Sequence, residues 1–115
     1  MKFDYQENTP FEKRAELTQT LMKKYPDRLP IYIQSTSKDV VIEKNKLLMN
    51  KDYTVGQVLC IIRSKLIINS DKAIFLLDES GQLPMTSQLL SDLYHERKNK
   101  DGCLYLSVSI ETTFG

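Results

Sequence analysis

The chain has no tryptophan, two cysteines, one histidine and four scattered glycines among its 115 residues. Cys60, Cys103 and His95 show no metal-ligand spacing, so the sequence offers no metal site. A cysteine hydrolase would have to pair Cys103 or Cys60 with His95. No third group and no oxyanion motif accompanies either pair, and a lone Cys and a lone His rarely make a dyad. Isolated glycines exclude a phosphate-cradling loop. No apolar run approaches the length of a membrane span, and the opening MKFDYQE lacks the apolar stretch of a secretory leader. An excess of one charge is missing too. Sixteen basic residues face fifteen acidic ones, and a net +1 gives no global field for nucleic acid. The expectation is a cytoplasmic chain with free thiols, no cofactor and no catalytic role.

What is present suits one globular domain over 1–115: 41% apolar and 27% charged residues, enough to bury a core without staples. Its organising stretch is 54–66, TVGQVLCIIRSKL. Thr54 and Gln57 form a capping box, in which each side chain satisfies a backbone donor. Val55, Leu59, Ile62 and Leu66 share one helical face, and Val58, Ile61 and the Lys65 stem form a second stripe. Such a helix is either wholly enclosed or serves a core with one face and a groove with the other. Periodicity alone favours enclosure.

Residues 1–8 form a short helix or a flexible arm. Thr9-Pro10-Phe11-Glu12 reads as a second capping box, with proline at the first helical position. The helix it opens should run to about Lys24, with Phe11, Ala15, Met22 and Tyr25 on one face and Leu17 and Leu21 beside them. Tyr25-Pro26 ends it. Strands are expected at 29–35 and 46–49, close enough to pair as an antiparallel hairpin. AIFLL at 73–77 reads as a strand buried on both faces. A helix over 87–96 should bury Leu89, Leu90, Leu93 and Tyr94. A last strand, 104–109, should be followed by a mobile tail, 110–115. The cations Arg97, Lys98 and Lys100 fit a solvated helix end.

Hairpin, helix, strand, short helix and strand is the order of an α+β ubiquitin-like β-grasp. In that fold a four-stranded mixed sheet wraps one helix, and the first and last strands pair in parallel. Residues 1–25 would add a helical extension to a core at 26–109.

PFEKR at 10–14, KKYPDRLP at 23–30, TVGQ at 54–57, IIRSKL at 61–66, KAIFLL at 72–77, LYHERKNKDGCLY at 93–105 and ETTFG at 111–115 together carry a resemblance along the whole chain. It resembles the ubiquitin-like modifiers of autophagy, the family that includes the GABA-receptor-associated protein and the microtubule light-chain proteins. The resemblance implies that the Gly115 carboxylate is activated as an adenylate by an E1-like enzyme and passed as a thioester to an E2-like enzyme. It is then joined to the amine of phosphatidylethanolamine, which places the protein on the autophagosome membrane. A cysteine protease would later cleave that link. Glycine suits the role because it has no side chain to obstruct a narrow active-site passage.

The resemblance also implies capture of cargo receptors through aromatic-x-x-aliphatic motifs, paired as an added strand along 46–49. By similarity the aromatic pocket uses Leu17, Leu21, Pro30, Lys46, Leu48 and Cys103. The aliphatic pocket uses Leu47, Met49, Tyr53, Val58, Ile61 and Lys65. Arg28 and Lys46 would meet acidic residues flanking the motif. Several positions depart from the family pattern: Leu17 stands for a usual Glu, Cys103 for Phe, Leu47 for an aromatic, Asn50 for Pro, Val58 for Phe and Lys65 for Arg. Altered peptide selectivity is expected. Tubulin is a further partner the family allows, and the alternative reading is a non-lipidated motif- or tubulin-binding adaptor of the same fold.

Overall fold

The computed structural model describes residues 1–38, 40–69 and 71–112. In chain order the elements are α1 (Asp4–Asn8), α2 (Phe11–Lys24), β1 (Arg28–Ser35), β2 (Lys46–Asn50), α3 (Val55–Ser64), β3 (Lys72–Leu77), α4 (Leu90–Arg97) and β4 (Leu104–Thr112). One sheet has the order β2-β1-β4-β3. β1 and β4 run parallel at its centre, and β2 and β3 are antiparallel outer strands. This is the β-grasp, with α3 laid on the sheet.

The α3 capping box forms. The Thr54 hydroxyl accepts from the Gln57 amide at 3.1 Å, and the Gln57 side chain accepts from the Thr54 amide at 2.8 Å. The helix is not enclosed. Val55, Val58 and Ile62 are buried, Leu59 and Ile61 are half-buried, and Cys60 is exposed. With Ile31, Ile33, Leu76, Leu104, Leu106 and Val108 from the sheet and Leu90 and Leu93 from α4, that face forms the main core.

Pro30 sits inside β1, a paired strand, without costing a bond. Ile33 donates to the Asn45 carbonyl, so alternation turns residue 30's amide position away from β2 and toward β4. Pairing with β4 begins only at Ile31↔Leu104, and no partner there needs the missing N–H.

Five details differ from the sequence reading. Thr9 does not cap α2, because its amide closes α1 onto the Tyr5 carbonyl; Pro10 is the N-cap and no side chain caps it. α2 buries Arg14 and Thr18, while Phe11 and Tyr25 are 46% and 39% exposed. The reason is an ion pair described below, which hydrophobicity cannot register. β3 is an outer strand with Ile74 and Leu76 buried, and its remaining residues are half-covered. α4 starts at Leu90, because the Thr86 and Gln88 carbonyls accept the free amides of Gly56 and Val55 at the start of α3. That duty holds 86–89 in a turn, closed by the Gln88 amide donating to the Met85 carbonyl at 3.1 Å, and leaves Leu89 43% exposed. Finally, β4 continues past 109 to Thr112, where it still pairs with Lys72 of β3.

Candidate functional site

Between α2 and the outer strand β2 lies a cavity of about 360 Å³. Leu17, Leu21, Pro30, Lys46, Leu48 and Cys103 all line it. α2 supplies Leu17 and Leu21 one turn apart, both partly exposed above a floor made by Pro30 and Cys103, both buried. Volume and apolar lining suit one large side chain with few polar demands. Among the described residues no strand pairs with the outer side of β2, so its edge is free beside the cavity that Lys46, Leu47 and Leu48 line.

The Cys103 amide donates to Asp101 Oδ1 at 2.8 Å, and its thiol faces the Leu104 carbonyl at 3.8 Å. Burial, and then the neighbouring Asp101 carboxylate, push that thiol well above the usual cysteine range. It stays protonated near neutral pH and serves as a small apolar wall rather than a nucleophile.

Tyr5, Thr18, Thr20 and Ile31 also line the cavity and escaped the sequence reading. Thr18 was findable, because it lies between Leu17 and Leu21 on the same helix. Tyr5 was not, since its place depends on how α1 docks. Phe3, 1% exposed, inserts against Tyr105 and Tyr32 with ring centroids 5.2 and 6.1 Å away. Gln34 fixes the backbone beside it, accepting from the Asp4 amide at 2.8 Å and donating to the Lys2 carbonyl at 3.3 Å. Tyr5 then stacks on Tyr32 at 5.4 Å, and Lys46 Nζ lies 4.1 Å from the Tyr5 ring centroid. Tyr5 and Lys46 also border a second, more open cavity of about 450 Å³ that reaches Asp4, Lys44 and Asn45.

Below this sits a buried polar network. Arg14 donates to Asp101 Oδ2 at 2.7 Å and to the Tyr105 hydroxyl at 3.1 Å. Tyr105 donates to the same carboxylate, and Arg14 Nε reaches the Thr9 carbonyl at 3.0 Å. α2 and β4 are tied at one carboxylate.

The second expected set is differently placed. Met49 and Val58 are buried in the core, Tyr53 and Ile61 are half-buried against it, and Lys65 is exposed at the end of α3. Leu47, assigned to this set, lines the first cavity as well. An aliphatic anchor would therefore meet a surface filled by its own side chains. Arg28 and Lys46 stand at opposite ends of β2, because Arg28 pairs with Asn50. Four strand steps separate them, about 13 Å. At the end of α4, Arg97 pairs with Asp78 at 3.4 Å and Lys98 lies over the Tyr94 ring. Gly115, the expected conjugation residue, lies outside the described residues.

A family profile described as "Autophagy protein Atg8 ubiquitin like" matches residues 13–115. The Autophagy-related protein 8 of Schizosaccharomyces pombe is 40% identical over 118 residues, covering 100% of this chain and 96% of its own. Autophagy-related protein 8e of Arabidopsis thaliana is 40% identical over 107 residues, covering 91% of this chain and 87% of its own. Among solved structures, Trypanosoma brucei ATG8 superposes with TM-score 0.89 at 29% identity, over 100% of both chains. Plasmodium falciparum Atg8 in complex with a Plasmodium falciparum Atg3 peptide gives 0.82 at 27% identity, over 95% of this chain and 96% of that one.

Proposed function

Because this chain belongs to the Atg8 family of ubiquitin-like autophagy proteins, we propose that it is a membrane-anchored modifier that recruits partners by adding their strand to β2. Its Gly115 carboxylate attacks ATP to give an acyl-adenylate and pyrophosphate. An enzyme thiol then displaces AMP to form a thioester, and the phosphatidylethanolamine amine displaces the thiol to leave an amide. The catalytic groups belong to the enzymes, and this chain supplies the carboxylate and the surfaces they grip. The P. falciparum relative solved with an Atg3 peptide supports an E2-like partner for this chain. The resemblance adds an E1-like enzyme, a delipidating cysteine protease, cargo receptors and tubulin as partners.

The observation that carries the capture reading is the apolar cavity beside an unpaired strand edge. A peptide paired along β2 gains backbone bonds from the edge and drops an aromatic side chain between Leu17, Leu21, Pro30, Leu48 and Cys103. Lys46 at one end and Arg28 at the other suit acidic flanks. Since Met49 and Val58 are packed away, the aromatic anchor carries more of the affinity than the aliphatic one. Titration of an isotope-labelled chain with such a peptide should shift the amides of β2. Leu48→Asp should weaken binding by roughly thirtyfold, the scale of one lost hot spot. Replacing the peptide's aromatic residue by alanine should cost more than replacing its aliphatic one. Shifts confined to another face, or equal losses at both peptide positions, would overturn this reading.

A further inference from the structure

One end of the sheet carries apolar surface that the peptide cavity does not use. β1 and β4 run parallel, so the segment after β1 and the finish of β4 lie at the same end. β3 starts there as well, with Lys72 opposite Thr112. A bridge between Ile42 and Leu66 brings in the segment that follows α3. Flanking that bridge, Val41 and Ile67 are 56% and 69% exposed. Ile67, Val40 and Ile110 border one cavity of about 350 Å³, and Ile110 stands two residues before β4 ends. Single exposed aliphatic residues are ordinary. Here they gather around the root of the C-terminal segment.

We propose that this end is a membrane-contact face, whose Val41 and Ile67 enter the headgroup–acyl boundary of the bilayer that holds Gly115. The inference rests on the lipid-conjugation reading above. Gly115 is three residues past Thr112, and three extended residues span about 10 Å at most. A conjugated chain therefore keeps the end of β4 within that distance of its headgroup. Interfacial side chains need to sink only about 5–10 Å to lose water. Two aliphatic side chains are too few to hold a free protein on a membrane; the tether makes their contact intramolecular and lets a weak contact persist. The segments that meet here, 38–44, 63–72 and 110–112, carry Lys38, Lys44, Arg63, Lys65 and Lys72 against Asp39, Glu43, Asp71 and Glu111. Five cations against four anions leave apolar contact as the carrier, and it should depend little on salt.

The lack of tryptophan in the chain supplies the reporter. Ile67→Trp and Val41→Trp are compared with Leu83→Trp, a 60% exposed control beyond the opposite end of β3. Each also carries Cys60→Ser and Gly115→Cys, and is coupled through a maleimide headgroup lipid to phosphatidylcholine vesicles, bypassing the enzymes. On coupling, emission at 41 and 67 should shift to the blue and be quenched by brominated acyl chains, at low and high salt alike, while 83 stays unchanged. Unquenched 41 and 67, or quenching at 83, would overturn the proposal. So would an Ile67→Ser chain that cannot accept transfer to the E2-like enzyme while its tryptophan counterpart shows no quenching, since the face would then belong to that enzyme. A chain that the enzymes refuse would still report this face, so the two failures are distinguishable.

Discussion

Asp101 ties distant parts of the chain together, accepting from Arg14, Tyr105 and the Cys103 amide at once. Its side chain is fully covered and that of Arg14 is 10% exposed. Removing one partner strands a buried charge, so Asp101→Ala should cost about 3–5 kcal/mol in urea unfolding. Tyr105→Phe, which keeps the pair, should cost nearer 1–2 kcal/mol. Gly102 sits beside this carboxylate at φ +89°, and an added Cβ would lie 2.9 Å from Thr18 Cγ2. Gly102→Ala should therefore cost at least 1–3 kcal/mol, whereas Gly81→Ala, at φ +87° with open space around it, carries only the backbone share. The Cys103 thiol sets a pH dependence. Its pKa in the folded state is raised from about 9, so above that pH the unfolded chain releases the proton first. Stability should be intact below pH 9 and decline above it, by up to about 1.4 kcal/mol per pH unit. The offset between the denaturant midpoints of the parent and Cys103→Ala should be constant below about pH 9 and change with pH only in that alkaline window. Equal slopes would mean the thiol is not held protonated.

At the scale of elements, local chemistry was legible and side-chain duty at a distance was not. The α3 capping box could be read because donor and acceptor lie three residues apart, and it formed. Thr54→Ala should cost about 0.5–2 kcal/mol, with helix content of the native state unchanged at low denaturant. The order of strands followed from the order of elements. That β3 lies at the edge of the sheet could not be read from AIFLL, because a short apolar run looks the same in a central strand and an edge strand. The α4 start was misplaced because nothing local in 87–96 shows that the Thr86 and Gln88 carbonyls are engaged by another helix. α2 was read by its apolar residues, yet it docks through Arg14, whose partner Asp101 lies 87 residues away in sequence, and through the buried Thr18. The aromatic cavity was assembled from residues named by resemblance, and Tyr5 was added only by the docking of α1.

Across the whole molecule the two ends of the sheet divide the work. In the proposed function the cavity and β2 serve captured peptides, and the finish of β4 leads toward the group joined to Gly115. The chain belongs to a family of ubiquitin-like autophagy proteins, and no helix among the described residues is long and apolar enough to cross a membrane. The proposed means of attachment is a covalent lipid, and the central claim stands on Gly115. The direct measurement is reconstituted conjugation: this chain, cognate E1-like and E2-like enzymes, ATP and phosphatidylethanolamine liposomes, beside a chain lacking Gly115. The account predicts a lipid-linked product of the full chain and none without Gly115. No product from the full chain, while a control modifier is conjugated by the same enzymes, would contradict it and leave a motif-binding adaptor of the same fold.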